Sequence, residues 1–301
     1  MLSPSRERPA RQSLGMVSRS YDHYYEDVFV VVRVGDVLYR LSAAVLAKQS
    51  HVFATLFSLP QTSGSVWCTE GLSDDEPIVL PGHSSADFDC LMQFLFGGPS
   101  FREKIPAIRP LVSLLKMSDF FEISDGCTYA ITNMEYHPDL DLASRLLLCY
   151  QYNIITWLGT AFRGLAALPL HHHTESELGR IPMKFMHSLI AVRHRVTTHC
   201  LTLAAIPPPV VAGFSCVTPG TCGHAWESAW KHGPSEMLRH PDVDYTGRAV
   251  LEALEAANIP SICRGCLEFS VANVKDSGSL IAEEVFVEDS VRELTAWMGS
   301  C

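Results

Sequence analysis

The run Val28–Val34 constrains this chain more than any other stretch. Val28, Val30, Val32 and Val34 alternate with Phe29, Val31 and Arg33, so both faces are partly apolar. Such a run reads as a mostly buried β-strand. Gly35-Asp36 follows as a two-residue turn signal, and Val37-Leu38-Tyr39-Arg40-Leu41 returns as a second strand. The pattern predicts a β-hairpin. Ser42 can cap a short helix, Ala43–Gln49, and Ser50 can cap another that turns Phe53, Leu56 and Phe57 to one side. Ile78-Val79-Leu80 reads as a short strand stopped by Pro81-Gly82. Ser84 with Asp87 reads as a capping box ahead of Phe88, Leu91, Met92 and Leu95 at helical spacing. Ile108, Leu111, Val112 and Leu115 mark one more helix, and Ile123, Cys127, Ala130, Ile131 and Met134 another. The predicted class is α+β: a hairpin plus a short strand with five helices.

Beyond residue 134 the pattern is mostly helical. Leu142, Leu146 and Cys149 form one stripe, and Ile154/Ile155, Leu158, Phe162 and Leu165 a second, ended by Pro169. Thr174 and Glu177 make a capping box, and Met183–Val196 reads as helix. Pro207, Pro208 and Pro209 mark a rigid break. Trp226 and Trp230 stand one helical turn apart and read as core. Arg248–Ala257 and Val285–Met298 are further helices. The expected organisation is a disordered tail over 1–20, an α+β domain over 21–134 and a helical region over 135–301.

Composition narrows the function. The 301 residues are 47% hydrophobic and 19% charged, a globular composition. The 33 acidic residues against 23 basic ones leave a net charge of −10, which repels phosphate backbones and speaks against nucleic acid as a partner. The apolar runs Ile154–Leu170 and Leu201–Phe214 are broken by Gly, Pro or polar residues, so no membrane span is expected. The first twenty residues carry Arg6, Arg8, Arg11 and Arg19 but no apolar signal core, and a polar tail is the plainer reading than an organelle-targeting segment. The ten cysteines are then expected as reduced thiols inside the cell, in cytoplasm or nucleus. Cys90, Cys127 and Cys149 fall in helical patterns and read as core.

Residues 26–96 resemble a BTB/POZ domain, in particular the version common in mushroom-forming fungi. The resemblance rests on Glu26-Asp27-Val28 opening the first strand, Val37–Leu41 as the second, and Val45–Phe53 with Leu56–Pro60. Glu70–Gly82 and Asp87-Phe88 with Leu91, Phe94 and Leu95 complete it. One departure is Ser42, where these domains usually carry a histidine at the start of the first helix. The resemblance implies a protein-interaction module that often homodimerises and recruits partners, in some cases a cullin-type ubiquitin ligase scaffold. Because such dimers generally use the first strand and first helix, it implies an interface including Val28, Val30, Ala43, Ala44, Leu46 and Ala47.

The most specific chemical signal lies in the C-terminal third. Cys216 and Cys222 precede the C-x-x-C pair Cys263 and Cys266 by about forty residues. Two pairs of thiolates can close a tetrahedral zinc site, with His224 as an alternative ligand to Cys222, and would staple the segment 214–268. The competing reading is four reduced thiols, some packed as small hydrophobes. His171-His172-His173 and the acidic run Glu70, Asp74, Asp75 and Glu76 read as solvated loops.

No G-x-S-x-G elbow, P-loop or G-x-G-x-x-G occurs. The function that the resemblance implies is a non-enzymatic adaptor acting through protein partners and self-association, and a structural zinc is the cofactor that the cysteine pairs leave open. The alternative is an enzyme built around Cys222, His224 and the Cys263/Cys266 pair. A DNA-binding zinc finger is disfavoured, because the C-x₂₋₄-C…H-x₃₋₅-H spacing is missing.

Overall fold

A computed structural model describes residues 28–58, 70–97, 107–239 and 247–300. The expected tail over 1–20 lies outside the described residues, as does the helix stop expected at Leu59-Pro60. The chain divides into two compact units, Met1–Asn133 and Met134–Cys301.

In the first unit, β1 (Phe29–Val34) and β2 (Val37–Ser42) form the expected hairpin, with Val34 opposite Val37. Gly35 closes it at φ +58°, a conformation open to glycine at no steric cost. β1 is the central strand: β3 (Ile78–Val79) pairs along its other edge in parallel, giving the order β2-β1-β3. Val30, Val32 and Val34 share one face by the two-residue period and are all buried, while Phe29 and Arg33 on the opposite face are exposed.

Among the described residues this unit also holds five helices: α1 (Ala43–Gln49), α2 (His51–Ser58), α3 (Ser85–Phe96), α4 (Ile108–Phe120) and α5 (Ser124–Met134). Ser42 caps α1 by accepting from Val45 N at 3.2 Å. Ser50 accepts from Phe53 N at 3.1 Å and donates to Phe121 O at 2.6 Å, so one buried hydroxyl starts α2 and ties it to the end of α4. Ser84 accepts from Asp87 N at 3.0 Å, the forward half of the expected box. The Asp87 carboxylate instead accepts from Ser113 and Lys116 of α4, clamping α3 to α4. The core between them is aromatic, with Phe53 stacked on Phe121 at 4.5 Å and Tyr39 edge-on to Phe88 at 4.8 Å.

The second unit carries helices joined by turns and loops, with no strand among its described residues. α6 (Leu142–Tyr152) and α7 (Ile155–Ala167) form a hairpin turned by Asn153 in the left-handed region. After a 3₁₀ turn (Leu170–His172) and α8 (Glu175–Leu178) comes α9 (Met183–Ala205), longer than the sequence pattern predicts. It runs on until Ile206, which the following Pro207 forces into extended backbone. The capping box of Thr174 and Glu177 is present in full. Then follow α10 (Pro219–His232), α11 (Pro234–Arg239), α12 (Gly247–Glu255), α13 (Arg264–Asp276), a second 3₁₀ turn (Ser279–Ile281) and α14 (Ala282–Met298). No helix of the described residues is long and apolar enough to cross a membrane.

Trp226 and Trp230 are core residues, each about 1% exposed. They pack with Leu238, Val250, Leu254, Ile259, Val274 and Leu280. Both indole N–H groups are satisfied inside that core, Trp226 donating to Pro208 O at 2.8 Å and Trp230 to Leu203 O at 3.0 Å. The triple proline thus offers a fixed carbonyl to α10.

Two expectations about buried thiols are corrected. Cys149 is buried, but Cys90 and Cys127 are half-buried at the edges of α3 and α5. Their helical stripes are wider than the buried face, so a small residue at the margin of a stripe stays partly in water.

Candidate functional site

Four sulfur atoms converge in the second unit. α9 ends at the prolines, and the chain then crosses to Gly213, where the backbone passes against Gly265. A Cβ on Gly213 would sit 2.8 Å from a Gly265 backbone atom, so this approach requires glycine. The close pass brings Cys216 to the start of α10, which contributes Cys222 from its first turn. Cys263 stands at the N-cap of α13 and Cys266 in that helix's first turn. The ligand atoms of Cys216, Cys222, Cys263 and Cys266 all lie within 4.8 Å of one another, and the four could hold a metal ion. The Cys216 and Cys222 sulfurs are 3.7 Å apart.

Backbone amides are aimed into this cluster. Gly213 N–H donates to Cys266 Sγ at 3.2 Å, and Cys263 N–H to Cys222 Sγ at 3.5 Å. The sulfurs perturb one another's protonation. The Cys266 amide and then the Cys266 sulfur hold Cys263 down at about 7. Cys266 is pushed up to about 12: the Gly213 amide pulls it down, but burial and the three neighbouring sulfurs outweigh that pull. Four thiols in contact cannot all ionise without a cation between them.

His224 is exposed and lies outside the four-cysteine group. The Cys222 sulfur is buried and turned toward Cys216, not held in a dyad with that imidazole. His171 and His172 lie in the first 3₁₀ turn, and His173 hydrogen-bonds Leu165 O at 3.2 Å. Glu70, Asp74, Asp75 and Glu76 are exposed.

The second candidate surface is in the first unit. Of the residues named from the resemblance, Val28 and Ala44 are exposed and Ala43 and Ala47 half-buried. Val30 and Leu46 are buried beneath them, about 7% and 0% exposed. The outward side of the sheet carries further apolar surface that sequence reasoning did not single out. Phe29, Leu38 and Val79 are each about half exposed, and the Arg40 guanidinium lies over the Phe29 ring. The strand register supplies the signal: Phe29 and Arg33 sit on the face opposite Val30, Val32 and Val34, and Leu38 and Val79 are the cross-strand partners of Arg33.

Residues 19–134 match the family model described as the BTB/POZ domain. The match spans the hairpin, the parallel third strand and the five described helices of the first unit. The first unit is a BTB/POZ domain. No curated protein and no solved structure matches the chain. A BTB/POZ domain is a protein-interaction module, which commonly self-associates and binds partners such as cullin scaffolds.

Proposed function

We propose that this chain is a non-enzymatic adaptor whose BTB/POZ domain docks proteins, pairing with a second copy of itself and recruiting a partner, with a cullin-type scaffold as the first candidate. The observation that carries the reading is the family match over 19–134, which spans the sheet and the described helices of the first unit. The proposed pairing surface is the start of β1 and the outward side of α1. Val28, Ala43, Ala44 and Ala47 offer small apolar side chains there, and small side chains let two backbones approach closely. Val30 and Leu46 would support it from beneath. The adaptor acts inside the cell, in cytoplasm or nucleus, where its thiols stay reduced.

Size-exclusion chromatography with light scattering tests the pairing on the full chain. A dimer at micromolar concentration is expected, and Ala44→Glu should convert it to monomer by placing two like charges in the interface. A strict monomer for the unmodified chain overturns self-association. Failure to retain a cullin N-terminal region in a pull-down removes that partner and leaves the docking role to other proteins.

A further inference from the structure

We propose that Cys216, Cys222, Cys263 and Cys266 bind one Zn²⁺ ion as a closed tetrathiolate, and that this ion is the structural staple of the C-terminal unit. Four sulfurs placed about 2.3 Å from a common zinc at tetrahedral angles stand about 3.8 Å from one another. The Cys216–Cys222 separation is 3.7 Å, and the whole set fits within 4.8 Å. Closing the remaining gap takes small side-chain rotations, because all four sulfurs already lie together.

The surroundings have the form that such a centre needs. The Gly213 and Cys263 amides already point at Cys266 Sγ and Cys222 Sγ, and N–H donors of this kind stabilise sulfur as thiolate and fix its direction. The glycine-on-glycine contact between Gly213 and Gly265 is what lets the loop come near enough to donate. The donor set decides both the metal and its role. Four soft thiolates in a compact tetrahedron suit zinc, and they leave no position for water or substrate, so the ion is structural. Binding exchanges each remaining thiol proton for a metal–sulfur bond with no change in oxidation state, giving a centre of net charge −2.

The ion joins three stretches that are remote in sequence: the loop after the triple proline, the first turn of α10 and the N-terminus of α13. Elsewhere these stretches meet through the tryptophan core, the edge-on contact of Phe214 with Phe269 at 5.3 Å and polar ties such as Val211 N–H to Ser270 Oγ at 2.8 Å. The staple therefore fixes the angle at which α10 and α13 leave a common point, and with it the packing of Trp226 and Val274.

The full chain, expressed in zinc-replete medium and purified without chelator, should carry one zinc per chain by elemental analysis. X-ray absorption should show four sulfur neighbours at about 2.3 Å. Cobalt(II) exchanged into the same protein should give the visible bands of a tetrahedral thiolate site. Cys263→Ser should lose most of the metal and lower the melting temperature, whereas Cys90→Ser, outside the centre, should keep it. Should Cys263→Ser fail to fold, the absorption spectrum of the unmodified chain decides alone. Less than a tenth of an equivalent of metal with no cobalt uptake, stoichiometric iron in place of zinc, or a nitrogen neighbour in the shell would each overturn the proposal.

Discussion

The BTB/POZ domain hangs its helices on a three-stranded sheet, and β1 at its centre shares its backbone hydrogen bonds with a strand on either side. The C-terminal unit has no strand among its described residues, so its long-range order comes from side chains. Around α10 and α13 those side chains are two tryptophans with carbonyl partners and a knot of four cysteines. The contrast shows two ways of fixing helices in space. A sheet fixes them by repetition, through many equivalent bonds. A helical unit fixes them at a few special points, and each point matters more.

If that contrast holds, truncating a special point should cost most. Trp226→Ala removes one of the two largest fully buried side chains of its core together with the bond to Pro208. A loss of about 3–5 kcal/mol is expected. Hydrogen exchange should rise across Pro219–Arg239. A loss under about 1 kcal/mol, small against the usual core truncation, would show that α10 is held by something else.

Ser50 is the nearest counterpart in the BTB/POZ domain. Ser50→Ala leaves the buried Phe121 carbonyl and Phe53 amide without the hydroxyl that serves both. The expected cost is about 1–3 kcal/mol by denaturant unfolding. Ser50→Thr keeps the hydroxyl and should recover part of it.

Asp87 and Asp141 are carboxylates at helix starts, one in each unit, and pH separates their contributions from packing. Burial raises the Asp87 carboxyl, but Lys116 and Ser113 bring it below its ordinary value. Burial likewise raises Asp141, and the Ser144 amide, the Ser144 hydroxyl and Arg180 bring it below. A carboxylate with a depressed folded-state pKa stabilises above its unfolded value and loses that contribution as pH falls through the folded one. Both ties should thus be intact at pH 7 and fade below about pH 4. Asp141→Asn and Asp87→Asn should each cost on the order of 1 kcal/mol at neutral pH, with the gap to the parent chain closing in acid. A gap unchanged at pH 3 would show that shape, not charge, holds these helix starts.

The BTB/POZ domain was legible because its signals are local and apolar. The valine alternation, the Gly35 turn and the caps at Ser42 and Ser50 each name an element without knowledge of the rest. The zone from Pro219 to Asp276 was harder to read. The buried line of α13 runs through Cys266, Ser270 and Val274, so it holds a single large apolar side chain and its centre is a polar serine. The cysteine spacing did name all four residues of the cluster, yet it could not show Gly213 closing on Gly265, because that contact depends on where the prolines aim the loop. At the proposed pairing surface the resemblance named a stretch of chain, and burial then sorted it: Val28 and Ala44 face outward, while Val30 and Leu46 do not.

The smallest effect is expected where the C-terminal unit has its best-formed surface ion pair. Arg163 meets Glu288 through two parallel hydrogen bonds of 2.6 and 2.9 Å, joining α7 to α14. Both side chains are about half exposed. Water and salt therefore screen the attraction, and ordering two long side chains offsets much of what is left. Glu288→Gln should cost about 0.5 kcal/mol or less at physiological salt, and the difference should shrink further in 1 M salt. Thermal unfolding at two ionic strengths reads this directly. If the loss instead matched that of Asp141→Asn and resisted salt, polar ties on the surface would rank with those at helix starts. The view that this unit depends on a few buried points would then need to be abandoned.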